Sequence, residues 1–163
     1  MNAEKSNPQS ISSQSAALFL LVAALIGAVA SHLGELDPRL AGITGEITEP
    51  GDNAPVSAEV LVQGRIADEL PTDTHLWLGV RHGALMWPRA PVPVVDKQWE
   101  LAITEEAGGP YSIVLFAVAV EDHNELGEWV RNGEETGHWP GFGEIPGKEL
   151  GAVAVCHSSG TQC

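Results

Sequence analysis

The sequence predicts a mainly β protein: an N-terminal transmembrane helix, then an antiparallel β-sandwich of about seven strands with one short helix before the last strand. Three observations predict it. Residues 16–30, AALFLLVAALIGAVA, contain no polar side chain. From residue 43 onward, short β-like runs alternate with Gly- and Pro-rich turns. Only residues 121–131 then show a helical pattern, and regular short strands of this kind are typical of a sandwich.

The apolar run is the first element. At about 1.5 Å per residue it covers roughly 22 Å, and the flanking residues extend it toward the roughly 30 Å hydrocarbon core. A cleaved secretory signal is the alternative, because Ala28 and Ala30 precede Ser31 in the small-x-small form that signal peptidase accepts. The nearly neutral leading segment, with Lys5 offset by Glu4, favours a retained anchor. Under both interpretations, the rest of the chain is exported across the membrane.

Charge suggests the orientation and excludes some partners. The chain has 22 acidic and 8 basic residues, a formal net charge of −14, and almost all of that charge follows residue 33. Both cysteines also lie there, which suits an oxidising exterior. We expect a single-pass protein of the bacterial cytoplasmic membrane with its C-terminal domain on the periplasmic or extracellular side. Nucleic acid and anionic lipid surfaces are disfavoured, because both attract basic proteins.

The domain boundaries follow from these changes in composition. We predict a polar tail (1–15), a transmembrane signal-anchor helix (16–33), a linker (34–42), a β-sandwich domain (43–156) and a C-terminal tail (157–163). About 120 residues follow the linker, enough for one domain with a real core.

Seven runs are candidate strands. Most are bounded by turn signals such as EPGDN at 49–53, and the run at 58–63 alternates apolar and polar residues. The run at 75–81 places Trp77 on the face opposite Leu76, Leu78 and Val80. YSIVLFAVAV is the longest run and is predicted to be the most buried. The predicted strands are 43–48, 58–63, 75–81, 84–87, 98–103, 111–120 and 149–156.

The helix is predicted at residues 121–131, EDHNELGEWVR. Asp122 is a candidate cap, and Leu126, Trp129 and Val130 form an apolar stripe. Gly127 weakens the pattern. A Gly-rich loop is expected from residue 132 to residue 147.

The order of several short motifs resembles an immunoglobulin-like module of bacterial envelope proteins. The resemblance covers roughly residues 43–155 and implies an immunoglobulin-like sandwich, but sandwiches serve many functions. CHSSGTQC departs from the pattern beyond the last strand. The motifs are Pro50, VLVQG at 60–64, LWLGVR at 76–81, MWPR at 86–89, QWEL at 98–101, YSIVLFAV at 111–118, and Ile145-Pro146 with residues 150–155.

A shorter resemblance lies at the end of the apolar run. Ala28 and His32 form Ala-x-x-x-His, a spacing similar to that of light-harvesting polypeptides, in which the His coordinates bacteriochlorophyll. This resemblance implies a single-span accessory subunit of a photosynthetic or respiratory complex, with His32 as a pigment or interface residue. His32 lies at the membrane edge, however, so an interfacial His beside lipid head groups is the alternative.

No motif predicts catalysis, a metal site or a cofactor. No serine lies in a Gly-x-Ser-x-Gly turn, and the histidines lack the spacing of a zinc site. Cys156 and Cys163 are predicted to form a disulfide; a free thiol or a bond to a partner chain is the alternative. We therefore predict that the protein is not an enzyme.

The five tryptophans are the most informative side chains. Trp77 and Trp99 fall within predicted strands and are expected in the core. Trp129 is expected to hold the helix against a sheet. Trp87 and Trp139 each precede a proline, which places them at a strand end or in a loop. Trp87, Trp139 and Trp129 are the candidate partner-binding residues, since exposed aromatic residues often dominate interfaces.

Together these features predict a non-catalytic, membrane-anchored, extracytoplasmic interaction module, an accessory or stabilising subunit of a larger integral membrane complex. That complex could be a reaction centre with its light-harvesting proteins or a respiratory complex. The alternative is a carbohydrate- or peptidoglycan-binding envelope module that uses Trp87 and Trp139.

Overall fold

The computed structural model describes residues 37–157, which form two β-sheets, one α-helix and a short 3-10 helix. The strands precede the helix except for the last one. The elements are the 3-10 helix Pro38–Leu40, β1 (Gly45–Glu49), β2 (Ala54–Val56), β3 (Glu59–Ile66), β4 (Thr74–His82), β5 (Leu85–Val92), β6 (Val94–Val95), β7 (Gln98–Thr104), β8 (Pro110–Ala119), α1 (Val120–Thr136) and β9 (Lys148–His157).

The strands form a four-stranded and a five-stranded sheet. The four-stranded sheet has the order β1-β3-β7-β6 and is antiparallel throughout. The five-stranded sheet has the order β2-β9-β8-β4-β5. Its pairs are antiparallel except that β2 runs parallel to β9, with Ala54 opposite Val155. The expectation of a wholly antiparallel sandwich is therefore wrong at this one pair.

The main core lies between the two sheets. The inward residues of β3 and β7 pack against Leu76, Leu78 and Val80 of β4 and against the inward residues of β8. Leu40 of the 3-10 helix is also buried there. The ammonium group of Lys148 donates to the carbonyl oxygens of Ala41 and Ile43. The segment expected to be a linker therefore contributes an apolar side chain to the core from residue 40.

A second apolar layer lies on the other face of the five-stranded sheet. Leu126 and Val130 of α1 pack there against Trp77 of β4 and against Phe116 and Val118 of β8. The helix therefore turns the sandwich into three layers. This arrangement explains why YSIVLFAVAV shows no alternation of apolar and polar residues: β8 is buried on both faces.

All seven predicted strands are present, with different ends. β5 continues to Val92 through Pro88, because it is an edge strand and proline there leaves no ladder hydrogen bond unmade. β3 continues through Gly64, where the Trp99 ring of β7 fills the space of an absent side chain. β2 and β6 were not predicted, because strands of three and two residues are too short to show a period.

The helix is longer than predicted at its C-terminal end, where it runs to Thr136 and is capped by Gly137 with a φ of 71°. The prediction that Asp122 caps the helix is wrong. The N-cap is Ala119, without a side-chain hydrogen bond, because α1 continues directly from β8. The amide of Val120 instead donates to the carbonyl oxygen of Asp73.

The predicted anchor at 16–33 lies outside the described residues, as do the N-terminal tail and residues 158–163. No helix within residues 37–157 is long and apolar enough to cross a membrane.

Candidate partner-binding site

Trp87, Trp129 and Trp139 meet in one aromatic cluster. Trp87 lies on the edge strand β5, Trp129 on α1, and Trp139 in the loop that follows α1. The ring centroids of Trp129 and Trp139 are 5.2 Å apart with their planes 65° apart. The Nε1 of Trp87 donates to the carbonyl oxygen of Trp139 at 3.0 Å. Three residues that the sequence singled out separately therefore belong to one site.

The loop from 137 to 147 is fixed against β5 by its own backbone. Met86 and Phe142 exchange two backbone hydrogen bonds of 2.8 Å. The Phe142 ring then packs 5.3 Å from the Trp129 ring. These contacts hold the loop on the outer edge of the sheet, so Trp139 is attached to a rigid support.

Gly133 makes the close approach of Trp139 to α1 feasible. A Cβ atom at this position would lie 2.4 Å from the Trp139 ring, far inside van der Waals contact. Gly133 is accordingly buried on a helix face where its neighbours are exposed. The six-residue separation of Gly133 and Trp139 matches no local sequence pattern, which is why sequence reasoning missed this contact.

The cluster ends in an exposed apolar surface. Trp139 is 38% exposed and Leu85 is 43% exposed, although both are large hydrophobic residues. Trp87 lies between the buried and exposed ranges. We call Leu85, Trp87 and Trp139 the Trp139 patch. The exposed side chains of Trp139 and Leu85 offer an apolar contact surface.

Comparisons with protein-family models, with curated proteins and with solved structures find no match to this chain. The functional argument therefore depends on the chemistry of the chain's own side chains.

A polar cluster lies next to Trp87 at one end of the sandwich. Glu105, almost fully buried, pairs with Arg89 of β5 and accepts a hydrogen bond of 2.9 Å from the Ala107 amide. The Nε2 of His82 is 3.6 Å from the Glu105 carboxylate. The His82 ring also packs edge-on against Trp87, at 5.9 Å. The cluster ties the edge of the five-stranded sheet to the end of β7.

Burial and neighbouring groups shift the pKa values of Glu105 and Tyr111 in this cluster. Burial disfavours the charged form of Glu105, but the Ala107 amide, Arg89 and His82 together outweigh burial and lower the pKa of Glu105 below its ordinary value. Burial and the Glu105 charge raise the pKa of Tyr111. The sequence did not reveal this cluster, because its members come from four separate strands or strand ends.

A histidine pair joins the start of α1 to β4. The rings of His75 and His123 stack at 3.8 Å, with planes 17° apart. The Nε1 of Trp77 donates to Nδ1 of His123 at 3.0 Å. Burial and the neighbouring His75 lower the pKa of His123. Neutral His123 is the form that accepts the Trp77 hydrogen bond, since Nδ1 must carry a lone pair.

The remaining predicted site residues lie at or beyond the C- and N-terminal ends of the described chain. Cys156 is buried in β9 and is not free, whereas Cys163 and His32 lie outside the described residues. The Cys156–Cys163 disulfide and the role of His32 therefore stay predictions. Within residues 37–157, no three His, Cys, Asp or Glu side chains are grouped closely enough to hold a metal ion.

Proposed function

We propose that this chain is a non-catalytic interaction module, anchored in a bacterial cytoplasmic membrane by residues 16–33, whose extracytoplasmic domain binds a larger membrane complex through the Trp139 patch. The observation that carries the proposal is the convergence of Trp87, Trp129 and Trp139, with Trp139 left exposed at the outer end. We infer an accessory or stabilising role for the module in that complex.

The chemistry of the patch suits a protein partner. Tryptophan is enriched among the residues that dominate protein interfaces, and such residues sit in clusters surrounded by less important contacts. A rigidly held side chain also loses little conformational freedom on binding. Trp139 meets this condition because Trp87 binds its carbonyl oxygen and Trp129 packs against its ring.

The membrane part of the proposal is based on sequence. The apolar run 16–30, the acidic residues after it and the two late cysteines favour an exported, anchored domain. The immunoglobulin-like motif order suggests an envelope protein. The Ala28-x-x-x-His32 spacing makes a photosynthetic complex one candidate partner, beside a respiratory complex.

Purification of the full chain in mild detergent, followed by mass spectrometry, tests this function. We expect integral membrane proteins to co-purify at a fixed stoichiometry. Trp139→Ala should reduce their recovery by roughly 30-fold, which corresponds to about 2 kcal/mol for the loss of a dominant interface residue.

Leu61→Ala is the matched control. Leu61 is 53% exposed on the four-stranded sheet, away from the patch, so its truncation should leave recovery unchanged. The proposal fails if the wild-type chain purifies alone, or if both variants recover the same amount of partner as the wild type.

The exposed Trp139 ring also supports one alternative, a carbohydrate- or peptidoglycan-binding module, because sugars stack on exposed indole rings. A glycan array probed with the full chain in detergent distinguishes the two. Retention on peptidoglycan fragments that is lost in Trp139→Ala, without co-purifying proteins, would favour the alternative.

A further inference from the structure

The outer surface of α1 is strongly acidic. Its sequence, VEDHNELGEWVRNGEET, has six carboxylates and a single basic residue, Arg131. Five of the carboxylates are exposed. Arg131 pairs with Glu128 at 2.9 Å, and Arg39 from outside the helix pairs with Glu121 at 3.1 Å. The exposed carboxylates of Glu125, Glu134 and Glu135 have no ion-pair partner within residues 37–157. The helix that supports the Trp139 patch therefore carries a concentrated negative charge.

The charge pattern at the C-terminal end of α1 opposes the stability of the helix. Glu134 and Glu135 lie in the last turn, where the partial negative charge of the helix end disfavours carboxylates. Glu121 and Asp122, by contrast, lie in the first turn, where the helix end favours carboxylates, and Glu121 pairs with Arg39. Neither Glu134 nor Glu135 makes an ion pair within residues 37–157. Positions that break local stability rules are often functional ones.

The acidic surface is continuous with the aromatic cluster. A shallow groove of about 460 Å³ runs along α1 and is lined by Glu128, Trp129, Arg131, Asn132 and Glu135. The Trp129 ring in this groove packs against Trp139, an exposed member of the patch. The surface thus combines an apolar centre with a negative edge.

Charge decides which occupant suits such a surface. A second copy of this chain would bring another net charge of −14 against it, and an anionic membrane surface or a nucleic acid would also be repelled. A basic protein segment is attracted instead.

We propose that the partner presents a segment rich in lysine or arginine, with at least one apolar side chain that packs on Trp139 while its cations face Glu134 and Glu135. This inference rests on the proposed function and adds the chemical class of the partner surface.

Site-specific photo-cross-linking in the cells that produce the protein tests the inference. A benzophenone amino acid replaces His138 in the full chain, because His138 is exposed directly beside Trp139 and lies outside the patch. Mass spectrometry of the adduct identifies the partner segment. We expect a segment with a net positive charge, and a cross-linking yield that falls at least fivefold in Glu134→Gln/Glu135→Gln.

Asp68→Asn/Glu69→Gln is the matched control. These two acidic residues are also adjacent and exposed, but they lie in the β3–β4 loop, so their neutralisation should leave the yield within twofold. Glu134→Gln/Glu135→Gln should also unfold at a slightly higher temperature than the wild type, which separates lost binding from lost folding.

The outcomes separate the two proposals. A cross-linked segment of neutral or negative charge, an adduct with a second copy of the chain, or an unchanged yield in Glu134→Gln/Glu135→Gln would overturn the basic-partner inference while a patch-mediated interaction stands. No adduct at residue 138 under any condition would overturn both.

Discussion

Among single side chains, Glu105 is the charged residue that the fold buries most completely within residues 37–157. Glu105 follows β7 and pairs with Arg89 of the edge strand β5. Its carboxylate also lies near His82, whose ring packs against the Trp87 ring. Removal of the Glu105 carboxylate would leave the partly buried Arg89 guanidinium and the Ala107 amide without their acceptor. Glu105 therefore supports both the sandwich and the base of the Trp139 patch.

We expect Glu105→Ala to destabilise the folded state by roughly 2 kcal/mol, because the Arg89 guanidinium and the Ala107 amide would both lose a charged acceptor. Urea unfolding followed by tryptophan fluorescence measures the change. Glu106→Ala removes the neighbouring exposed carboxylate and should change stability by less than about 0.5 kcal/mol. Equal effects of the two variants would mean that Glu105 makes no specific pair.

His123 is the residue whose protonation the fold opposes. Its pKa is lowered in the folded state from the model-peptide value of 6.5 by burial and then by His75. As the pH falls through 6.5, the unfolded chain binds a proton that the folded chain resists. The contribution of His123 to stability is therefore present above pH 6.5 and is lost as the pH falls toward the lowered folded pKa.

His123→Gln tests this linkage. Glutamine does not titrate, and its Oε1 atom can accept the hydrogen bond from Trp77 Nε1. Between pH 7.5 and pH 5.5, we expect the urea midpoint of the wild type to fall relative to that of His123→Gln. Parallel pH profiles for the two proteins would contradict the assignment.

At the level of elements, α1 offers an internal comparison between two glycines. Gly133 faces the Trp139 ring, whereas a side chain at Gly127 would meet nothing within 4 Å. Both are helix interior positions, so Gly→Ala should stabilise the helix itself by about 1 kcal/mol at each. Only at Gly133 does the new methyl group collide with a neighbour.

We expect Gly127→Ala to stabilise the domain by about 1 kcal/mol and to leave partner recovery unchanged. Gly133→Ala should displace Trp139, shift its fluorescence emission and reduce recovery of the proposed partner. Emission spectra and co-purification of both variants provide the measurement. If Gly133→Ala behaves like Gly127→Ala in both assays, Trp139 is not held in place by α1.

The elements that could be predicted from the sequence are those marked by a pattern of neighbouring residues along the chain. The strands β3, β4 and β7 were predicted because their side chains alternate across a sheet, and Trp77 and Trp99 are in the core as predicted. The C-terminal extension of α1 was not predicted, because its last residues, NGEET, have no apolar stripe. That turn is held by Trp139, which packs on Gly133 from a later loop.

The candidate site was predicted as separate residues only. Trp87, Trp129 and Trp139 were singled out because of their neighbours along the chain. Their meeting depends on where β5, α1 and the following loop lie in three dimensions. The polar cluster around Glu105 and the histidine pair also require tertiary contacts, which no single-sequence spacing encodes.

For the molecule as a whole, the excess of negative charge affects stability. The formal net charge is −14, and self-repulsion of like charges disfavours a compact state. Salt reduces this repulsion, since the screening length falls from about 30 Å at 0.01 M to about 10 Å at 0.1 M.

We expect the unfolding temperature to rise by a few degrees between about 0.01 M and 0.1 M NaCl, and to change little beyond that range. Differential scanning fluorimetry at constant pH measures this. An equal concentration of choline chloride should give the same increase, because the effect depends on ionic strength. A temperature that falls with salt would mean that the surface ion pairs outweigh the repulsion.

The position of β9 determines when the five-stranded sheet can close. β9 lies between β2 and β8, yet it follows every other described strand in the chain. Until residues 148–157 arrive, both neighbours present unpaired backbone edges, and β8 is strongly apolar. The edge of β8 that β9 covers therefore stays open until the last described strand has been made. The five-stranded sheet is thus completed only by its last-made strand, and an unpaired apolar edge of this kind is prone to pairing with a wrong strand until then.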